Sequence, residues 1–181
     1  SRNVTNANST QPHVHRHAFA RSVMGFVRPE AAIGVDENSS IKSQTPLHPG
    51  KACPVVIRGQ GAIEILAFEH PLAGLQLVKG TIESGESSRA AALRELREES
   101  GLSASNVLAD LGIWTSGYEN QIWAFHLCEV DHPPESWIHR TSDDGGHDFK
   151  FFWYPLSQQP NEQWHSLFQG ALKYIATKLL V

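Results

Sequence analysis

The stretch Gly80–Leu102, GTIESGESSRAAALRELREESGL, constrains the fold of this 181-residue chain more than any other part. Its second half is predicted to be a helix, because Ser87 is a typical N-cap and Gly101 is a typical residue for ending a helix. Good helix formers, alanines and leucines among them, fill the positions between. A loop bracketed by Gly80 and Gly85 precedes the helix, and these glycines can take backbone angles closed to other residues. The stretch therefore predicts a tight loop that leads into a helix.

Three glutamates of this helix, Glu95, Glu98 and Glu99, share one face because they lie three and four positions apart. Like charges at this spacing destabilise an isolated helix by about a few tenths of a kcal/mol per pair. A hard divalent cation reverses the sign of that effect, since oxygen-rich clusters suit Mg²⁺ or Mn²⁺. The loop could also bring a backbone carbonyl to the cation. The face is a candidate metal site, and a solvated acidic face is the ordinary alternative.

The composition, with 40% hydrophobic and 19% charged residues, is that of an ordinary globular protein. A net charge of −4 argues against a broad nucleic-acid or membrane-binding surface, and no apolar run approaches the length of a membrane span. Two cysteines, Cys53 and Cys128, do not make a disulfide framework. We therefore predict two buried thiols and a cytoplasmic location, and the sequence leaves the oligomeric state open.

Residues 1–50 differ in character from the rest, because they are rich in Asn, Ser, Thr, His and Pro. We predict a polar, partly flexible extension there and a main domain over residues 51–181. The apolar patch Ala18–Val27 is expected to pack on the main domain as a strand or short helix. Three alternating histidines would lie on one side of an extended chain, and a flexible arm is favoured over a metal site. They are His13, His15 and His17.

The main domain shows strand patterns on both sides of the central helix. Apolar and alternating runs predict strands at Pro54–Arg58, Ala62–Glu69, Leu75–Val78, Val107–Trp114, Gln121–Val130 and Phe149–Tyr154. Residues 131–147 are predicted to form a long loop. Pro160 and Asn161 are expected to open a last helix, whose apolar stripe packs in the core. The order of strands, helix, strands and helix predicts an α/β protein with a mixed sheet between helices.

The central stretch resembles a complete Nudix box over 23 residues. The matching positions are Gly80, Glu86, Arg94, Glu95, Leu96, Glu98, Glu99, Gly101 and Leu102. The resemblance implies an α/β/α sandwich and a Nudix hydrolase domain over residues 51–181. It also implies hydrolysis of a nucleoside diphosphate linked to another group, with Mg²⁺ or Mn²⁺ directing water onto phosphorus.

Carried over by motif position, the resemblance assigns roles within the box. Glu98 and Glu99 are expected to ligate the metal, joined by Glu95 and by the main-chain carbonyl of Lys79. Glu95, Glu98 and Arg94 are the predicted catalytic residues, with Arg94 holding the loop by an ion pair rather than touching substrate. The residues expected to shape the loop and the helix end are Gly80, Gly85, Glu86 and Gly101.

The general base is left open between two places in the chain. In some members of the family the first glutamate of the helix serves, which here is Glu95. In others an acid from a late loop serves, which here would be Asp143, Asp144 or Asp148. His147 is a weaker candidate.

The lead-in to the box bears on the substrate. Leu77-Val78-Lys79-Gly80 is similar to the Leu-Pro-Lys-Gly of Nudix dinucleoside polyphosphate hydrolases, with Val78 in place of proline. Tyr118 lies close to where that subgroup carries a tyrosine. Lys79 and Tyr118 are therefore the predicted substrate-binding residues, and dinucleoside polyphosphates are the first candidate substrates. Hydrolysis of ADP-ribose or of nucleoside triphosphates is the alternative.

Two other classes of function are weighed against hydrolysis. A non-catalytic nucleotide-binding or sensor protein would tolerate loss of a helix glutamate, and none is lost here. A Nudix-type isomerase of isoprenoid diphosphates would require a placed cysteine, and neither Cys53 nor Cys128 has a motif context for that role. The predicted partner is a small nucleotide substrate, with no nucleic-acid duplex and no membrane.

Overall fold

The computed structural model describes residues 47–142 and 145–180. Two helices and eight strands lie within these residues, in the order β1 Lys51–Arg58, β2 Glu64–His70, β3 Gly74–Gln76, β4 Gly80–Thr81, α1 Ser88–Ser100, β5 Asn106–Thr115, β6 Ile122–Glu129, β7 Trp137–Arg140, β8 Asp148–Pro155 and α2 Ser166–Leu179. The predicted extension, apart from residues 47–50, lies outside the described residues. So do the patch Ala18–Val27, His13, His15, His17, Asp143 and Asp144.

The strands form one mixed sheet in the order β5-β6-β1-β2-β8-β7, with β3 paired to β2 and β4 paired to β1. Only the pairing of β1 with β6 is parallel among the described strands. Residues 51–56 of β1 pair with β6, whereas Ile57 and Arg58 pair with β2. Strand β1 therefore joins the two halves of the sheet.

Helices cover both faces of the sheet, as the alternation of side chains along β1 shows. Cys53 and Val55 lie in one apolar cluster with the buried side chains of α2. Val56 packs in a second cluster with Leu96 of α1, and Ala52 packs against two alanines of the same helix. Because successive side chains of a strand point to opposite faces, α1 and α2 lie on opposite sides. The predicted α/β class and mixed sheet are confirmed.

Helix α1 begins and ends where its capping residues predict. The Ser87 hydroxyl accepts a hydrogen bond from the backbone N–H of Ala90 at 3.1 Å. At the other end, Gly101 takes a left-handed conformation with φ of 76° and donates its N–H to the carbonyl of Arg97. This geometry suits glycine because it has no Cβ. Local sequence alone thus sets both ends of the helix.

The predicted loop over residues 131–147 and the predicted start of the last helix are wrong. Residues 131–147 are not a continuous loop, because Trp137–Arg140 forms β7 and pairs with β8. The Trp137 ring stacks on Phe151 at 4.8 Å, a contact between strands that no local pattern reveals. Helix α2 begins at Ser166 rather than at Pro160 and Asn161, because the residues before it form turns and a bridge to β3.

Both cysteines are free and buried, as predicted. Burial raises the pKa of the Cys53 thiol well above its ordinary value and raises the pKa of Cys128 to about 11. A thiol that resists ionisation is a poor nucleophile, so packing is the role of both side chains. Across residues 47–142 and 145–180, neither helix has the length and apolar character that crossing a bilayer requires.

Candidate active site

Two adjoining cavities share the side chains of Lys79, Glu98 and Glu99. The first, here called the carboxylate cavity, is also lined by Glu95, Arg94, Gly80 and Lys51, among other residues. The second, here called the ring cavity, is also lined by Phe68, His70, Gln76, Leu77, Thr141, His147, Phe149 and Phe168. Helix α1 therefore supplies acids to the boundary between a polar and an aromatic cavity.

The predicted metal-binding glutamates line the carboxylate cavity together. Glu95 is 7% exposed, and its carboxylate lies against the backbone of β4, in the space that a side chain on residue 80 would fill. Only glycine leaves room for the Glu95 carboxylate at position 80.

Gly85 is favoured for a different reason, which is backbone conformation. Its φ of 78° lies in the left-handed region, and open space surrounds it.

Arg94 binds three acids through charge-assisted hydrogen bonds. Its Nε and Nη2 donate to the two carboxylate oxygens of Glu86 at 3.0 and 2.9 Å, which is the predicted ion pair. Its Nη1 donates to Glu95 at 2.7 Å and to Glu98 at 3.0 Å, and Nη2 also donates to the Thr81 carbonyl. These bonds raise the pKa of the Arg94 guanidinium. One side chain thus links the loop, β4 and the acidic face of α1.

Glu86 closes the loop before the helix. Its carboxylate accepts from the backbone N–H of Glu83 at 3.0 Å, and its own N–H donates to the Glu83 carbonyl at 3.0 Å. The hydrogen bonds from Arg94, followed by the one from Glu83, lower the pKa of the Glu86 carboxyl. The carboxylate is therefore held ionised, which keeps the loop fastened to the helix.

The donor set of the carboxylate cavity fits a hard divalent cation. Glu95, Glu98 and Glu99 offer carboxylate oxygens, the ligands that Mg²⁺ and Mn²⁺ prefer. Among the residues that the structure describes, no three acidic, histidine or cysteine groups are gathered around a single point. Arg94 binds two of the carboxylates, and Glu99 accepts from the Lys79 N–H at 3.4 Å. The side chain of Glu98 is 42% exposed, so it has room to turn.

Lys79 stands between the two cavities. Its ammonium lies 5.2 Å from the centre of the Trp123 ring and 5.9 Å from that of Phe168. Burial, together with the nearby positive charge of Lys51, lowers the pKa of Lys79, while Glu99 opposes the shift. Two ammonium groups therefore accompany the acids, and each can meet a negatively charged oxygen of a ligand.

The ring cavity contains residues that the sequence pattern did not single out. Phe68 and Phe149 stack with their ring centres 4.3 Å apart. The His70 ring lies 5.2 Å from Phe149 and 5.0 Å from His147. The alternation of Phe68 and His70 at the end of β2 was the available signal, since it puts both on one face. The pairing of β2 with β8 brings in Phe149, and that pairing is not visible locally.

Strand β7 fastens the end of α1 that carries the acids. The Trp137 indole N–H donates to the Ser100 carbonyl at 2.8 Å. His139 Nε2 lies 3.0 Å from the Glu98 carbonyl and is the donor, because a carbonyl only accepts. The same ring packs against Gly101. Carbonyls that a helix end leaves unpaired are thus satisfied by another strand.

The remaining predicted residues lie elsewhere. Tyr118 is in the turn between β5 and β6, is 53% exposed and lines neither cavity. Asp148 begins β8, pairs with Arg140 at 3.1 Å and also lines neither cavity. His147, by contrast, lines the ring cavity. The roles of substrate binding and general base stay predictions for these residues.

Comparison with known proteins places the chain in a family. A family model described as the NUDIX domain matches residues 46–171. At the level of sequence, the chain matches none of the curated proteins. Among solved structures, an ADP compounds hydrolase is similar with a TM-score of 0.53 and 19% identity, covering 73% of this chain and 75% of the other.

Two further structures show the same fold. The Nudix domain of Shewanella oneidensis NrtR, complexed with ADP-ribose, has a TM-score of 0.52 and 13% identity over 75% of this chain and 90% of its own. A UDP-X diphosphatase has a TM-score of 0.50 and 15% identity over 75% of this chain and 66% of its own. The match to the domain spans most of the chain, and the box that it contains forms the carboxylate cavity. This chain therefore belongs to the Nudix family.

Proposed function

We propose that this protein hydrolyses a phosphoric anhydride bond in a nucleoside diphosphate linked to another group, with residues 51–181 as the hydrolase domain. One observation carries the proposal. The three glutamates of α1 line a single cavity together with Lys51 and Lys79. Acids there suit a divalent cation, and lysines suit the phosphate oxygens that the cation leaves uncompensated. The site thus matches a diphosphate in charge and in donor type.

In this proposal Glu98 and Glu99 hold the cation, with Glu95 and the Lys79 carbonyl beside them. When bound, Mg²⁺ or Mn²⁺ neutralises diphosphate charge and lowers the pKa of a water. Arg94 acts as a positioning residue, since its hydrogen bonds restrain the acids and the loop rather than point at substrate. Fixed donors and charges of this kind favour a transition state without rearranging during the reaction.

The general base is proposed to be Glu95, because it is buried in the carboxylate cavity beside the other acids. The test compares four single variants: Glu95→Gln, Asp143→Asn, Asp144→Asn and Asp148→Asn. The base is the residue whose replacement lowers turnover even at saturating Mg²⁺, where weaker metal binding no longer limits the rate. A large loss in the Asp148→Asn variant alone would move the role to β8, and a loss in Asp143→Asn or Asp144→Asn would move it to that residue.

The activity is tested with purified protein and a panel of nucleotides, with Mg²⁺, Mn²⁺ or a chelator present. We expect phosphate-bond cleavage that the chelator abolishes. Glu98→Gln and Glu99→Gln should each lower turnover by about 100-fold or more while the protein stays folded. Glu129→Gln is the matched control, since that glutamate is exposed and lines neither cavity. Turnover equal to wild type in either helix variant would contradict the proposal.

Within that activity, dinucleoside polyphosphates remain one proposed substrate class, supported by Lys79 at the shared wall of the cavities. ADP-ribose enters the same panel because proteins of similar fold are an ADP compounds hydrolase and a Nudix domain complexed with ADP-ribose.

Two variants test the substrate class. Lys79→Ala keeps the backbone carbonyl and removes the charge, so it should weaken the binding of a long polyphosphate most. Tyr118→Ala should raise KM for a dinucleotide more than for a diphosphate without a base. Equal effects on both, or faster turnover of ADP-ribose, would exclude the dinucleotide assignment.

A further inference from the structure

We propose that the ring cavity binds the base of the nucleotide, stacked on the ring of His147, with the tilted ring of His70 beside it. The inference rests on the proposed function, since it assumes a nucleotide substrate. It goes further by assigning the base of that substrate to the ring cavity. Lys79, Glu98 and Glu99 form the wall that this cavity shares with the carboxylate cavity. A ligand that spans the wall therefore has its charged and its planar parts in different cavities.

The accessible ring surface of the cavity comes from histidines. Phe68 and Phe149 are buried, 2% and 8% exposed, and stack on each other. The rings of His70 and His147 are only half-buried and continue this contact series toward solvent. The two phenylalanine rings thus lie behind the histidine rings, on the side away from solvent. A planar heteroaromatic ligand gains most from such a surface, because every base has a π face that stacks on an aromatic ring.

Hydrogen bonds restrain the ring of His70 and the backbone of His147. The Leu72 N–H donates to His70 Nδ1 at 3.0 Å, across the turn that follows β2. Thr141 N–H donates to the His147 carbonyl at 2.9 Å, and the His147 N–H donates to the Thr141 hydroxyl at 3.2 Å. The His70 ring and the His147 backbone are thus restrained before a ligand binds, which favours affinity.

Polar contacts with the edge of a base are available from Gln76. Its side-chain Nε2 donates to the Ala73 carbonyl at 3.5 Å, at the outer limit for a hydrogen bond. The amide therefore loses little when it turns toward a ligand. Leu77 and Phe168, which complete the lining, are apolar and buried. The stacked rings of the lining favour a planar base over a sugar, because a sugar has no π face.

The size of the cavity suits a base better than a complete nucleotide. Its volume is about 220 Å³, below the range of roughly 300–1,000 Å³ that holds a complete drug-sized ligand. In the proposed arrangement the phosphates lie outside it, toward the shared wall. This arrangement directs the phosphates to the side of Lys79, where the carboxylate cavity begins.

The test is equilibrium binding of AMP and ribose 5-phosphate, which differ only in the base, measured by calorimetry on the full chain. Because a stacked base contributes roughly 1–3 kcal/mol, wild type should bind AMP about 5- to 150-fold more tightly than ribose 5-phosphate. His147→Ala should remove most of this ratio, and His147→Phe, which keeps a ring, should retain it. Gln76→Ala should reduce the ratio less. His48→Ala is the matched control, because that histidine is exposed and lines neither cavity.

The readout separates this inference from the proposed hydrolysis, because no turnover is needed. Equal affinity for AMP and ribose 5-phosphate in wild type would overturn the base site, whatever the enzyme cleaves. A ratio unchanged in His147→Ala, or lost equally in His48→Ala, would do the same. A ratio that depends on His147 in a protein without hydrolase activity would support the base site and refute the catalytic proposal.

Discussion

Gly80 in β4 and Glu95 in α1 are packed so closely that a Cβ on residue 80 would overlap the Glu95 carboxylate. The contact joins the loop side of the Nudix box to the middle of its helix. Because Arg94 donates to that carboxylate at 2.7 Å, Glu95 has a backbone on one side and a guanidinium on another. Its position is therefore set by packing as much as by charge.

The first prediction is that Gly80→Ala displaces Glu95 and lowers turnover strongly, by about 100-fold, because the acid can no longer occupy its place. Overpacking of this kind destabilises a protein by about 1–3 kcal/mol, which chemical denaturation would measure alongside nucleotide hydrolysis. Gly61→Ala is the control, since nothing lies within 4 Å of a Cβ there. Equal activity in the two variants would show that the close packing has no functional consequence.

The second prediction concerns the metal. A cation that binds the folded protein at ten times its Kd stabilises it by about 1.4 kcal/mol, which raises the melting temperature by a few degrees in a domain of this size. We expect this shift with Mg²⁺ or Mn²⁺, its reversal by a chelator, and a smaller shift in Glu98→Gln and Glu99→Gln. Thermal unfolding followed by circular dichroism checks it. An identical shift in both variants would place any bound cation elsewhere.

The third prediction concerns Arg94→Lys. Lysine keeps the charge but cannot reproduce the five hydrogen bonds of Arg94, of which four go to carboxylates and one to a carbonyl. Hydrogen bonds to charged groups contribute about 1.5–3 kcal/mol each, so the free energy of unfolding should fall by about 2 kcal/mol or more. Turnover should fall as well, since the acids lose their restraint. Arg140→Lys tests an exposed pair and should change stability by less than about 1 kcal/mol. Similar losses in both variants would contradict a special role for Arg94.

The fourth prediction is a loss of stability on acidification, caused by His126. This side chain is buried, with Nε2 3.0 Å from the Ser88 hydroxyl. Burial lowers its pKa below the ordinary 6.5, Arg89 adds to the shift, and Asp110 opposes it. The unfolded chain therefore binds the proton more readily than the folded protein. Stability should fall as the pH drops below 6.5 and level off below the pKa of the folded state.

The measurement is the free energy of unfolding between pH 5 and 8 (a window around the ordinary pKa of histidine) for wild type and His126→Gln. The variant should show a flatter profile across pH 6.5. His48→Gln should keep the wild-type profile, because that histidine is exposed. A profile with the same slope in wild type and in His126→Gln would assign the titration to another group.

Local sequence predicted those parts whose geometry depends on neighbours in the chain. The ends of α1 follow from Ser87 and Gly101, since capping is decided within a turn of helix. The shared face of Glu95, Glu98 and Glu99 follows from helical spacing. The apolar runs predicted strands within β1 and β2, and the one over Ala62–Glu69, predicted to be apolar on much of both faces, is largely buried as β2. Each of these features needs only the period of one element.

The tertiary structure decided what depends on pairing between distant strands. The ring cavity needs β2 beside β8, so that Phe149 meets Phe68. Strand β7 exists because it pairs with β8, and its His139 then reaches the carbonyl of Glu98. The family motif identified the acids proposed to bind a cation, and the fold decided which rings and lysines lie next to them. Sequence alone determined the residues of the acidic helix face, whereas long-range packing determined the cavity that surrounds it, because cross-strand contacts leave no periodic pattern in either strand.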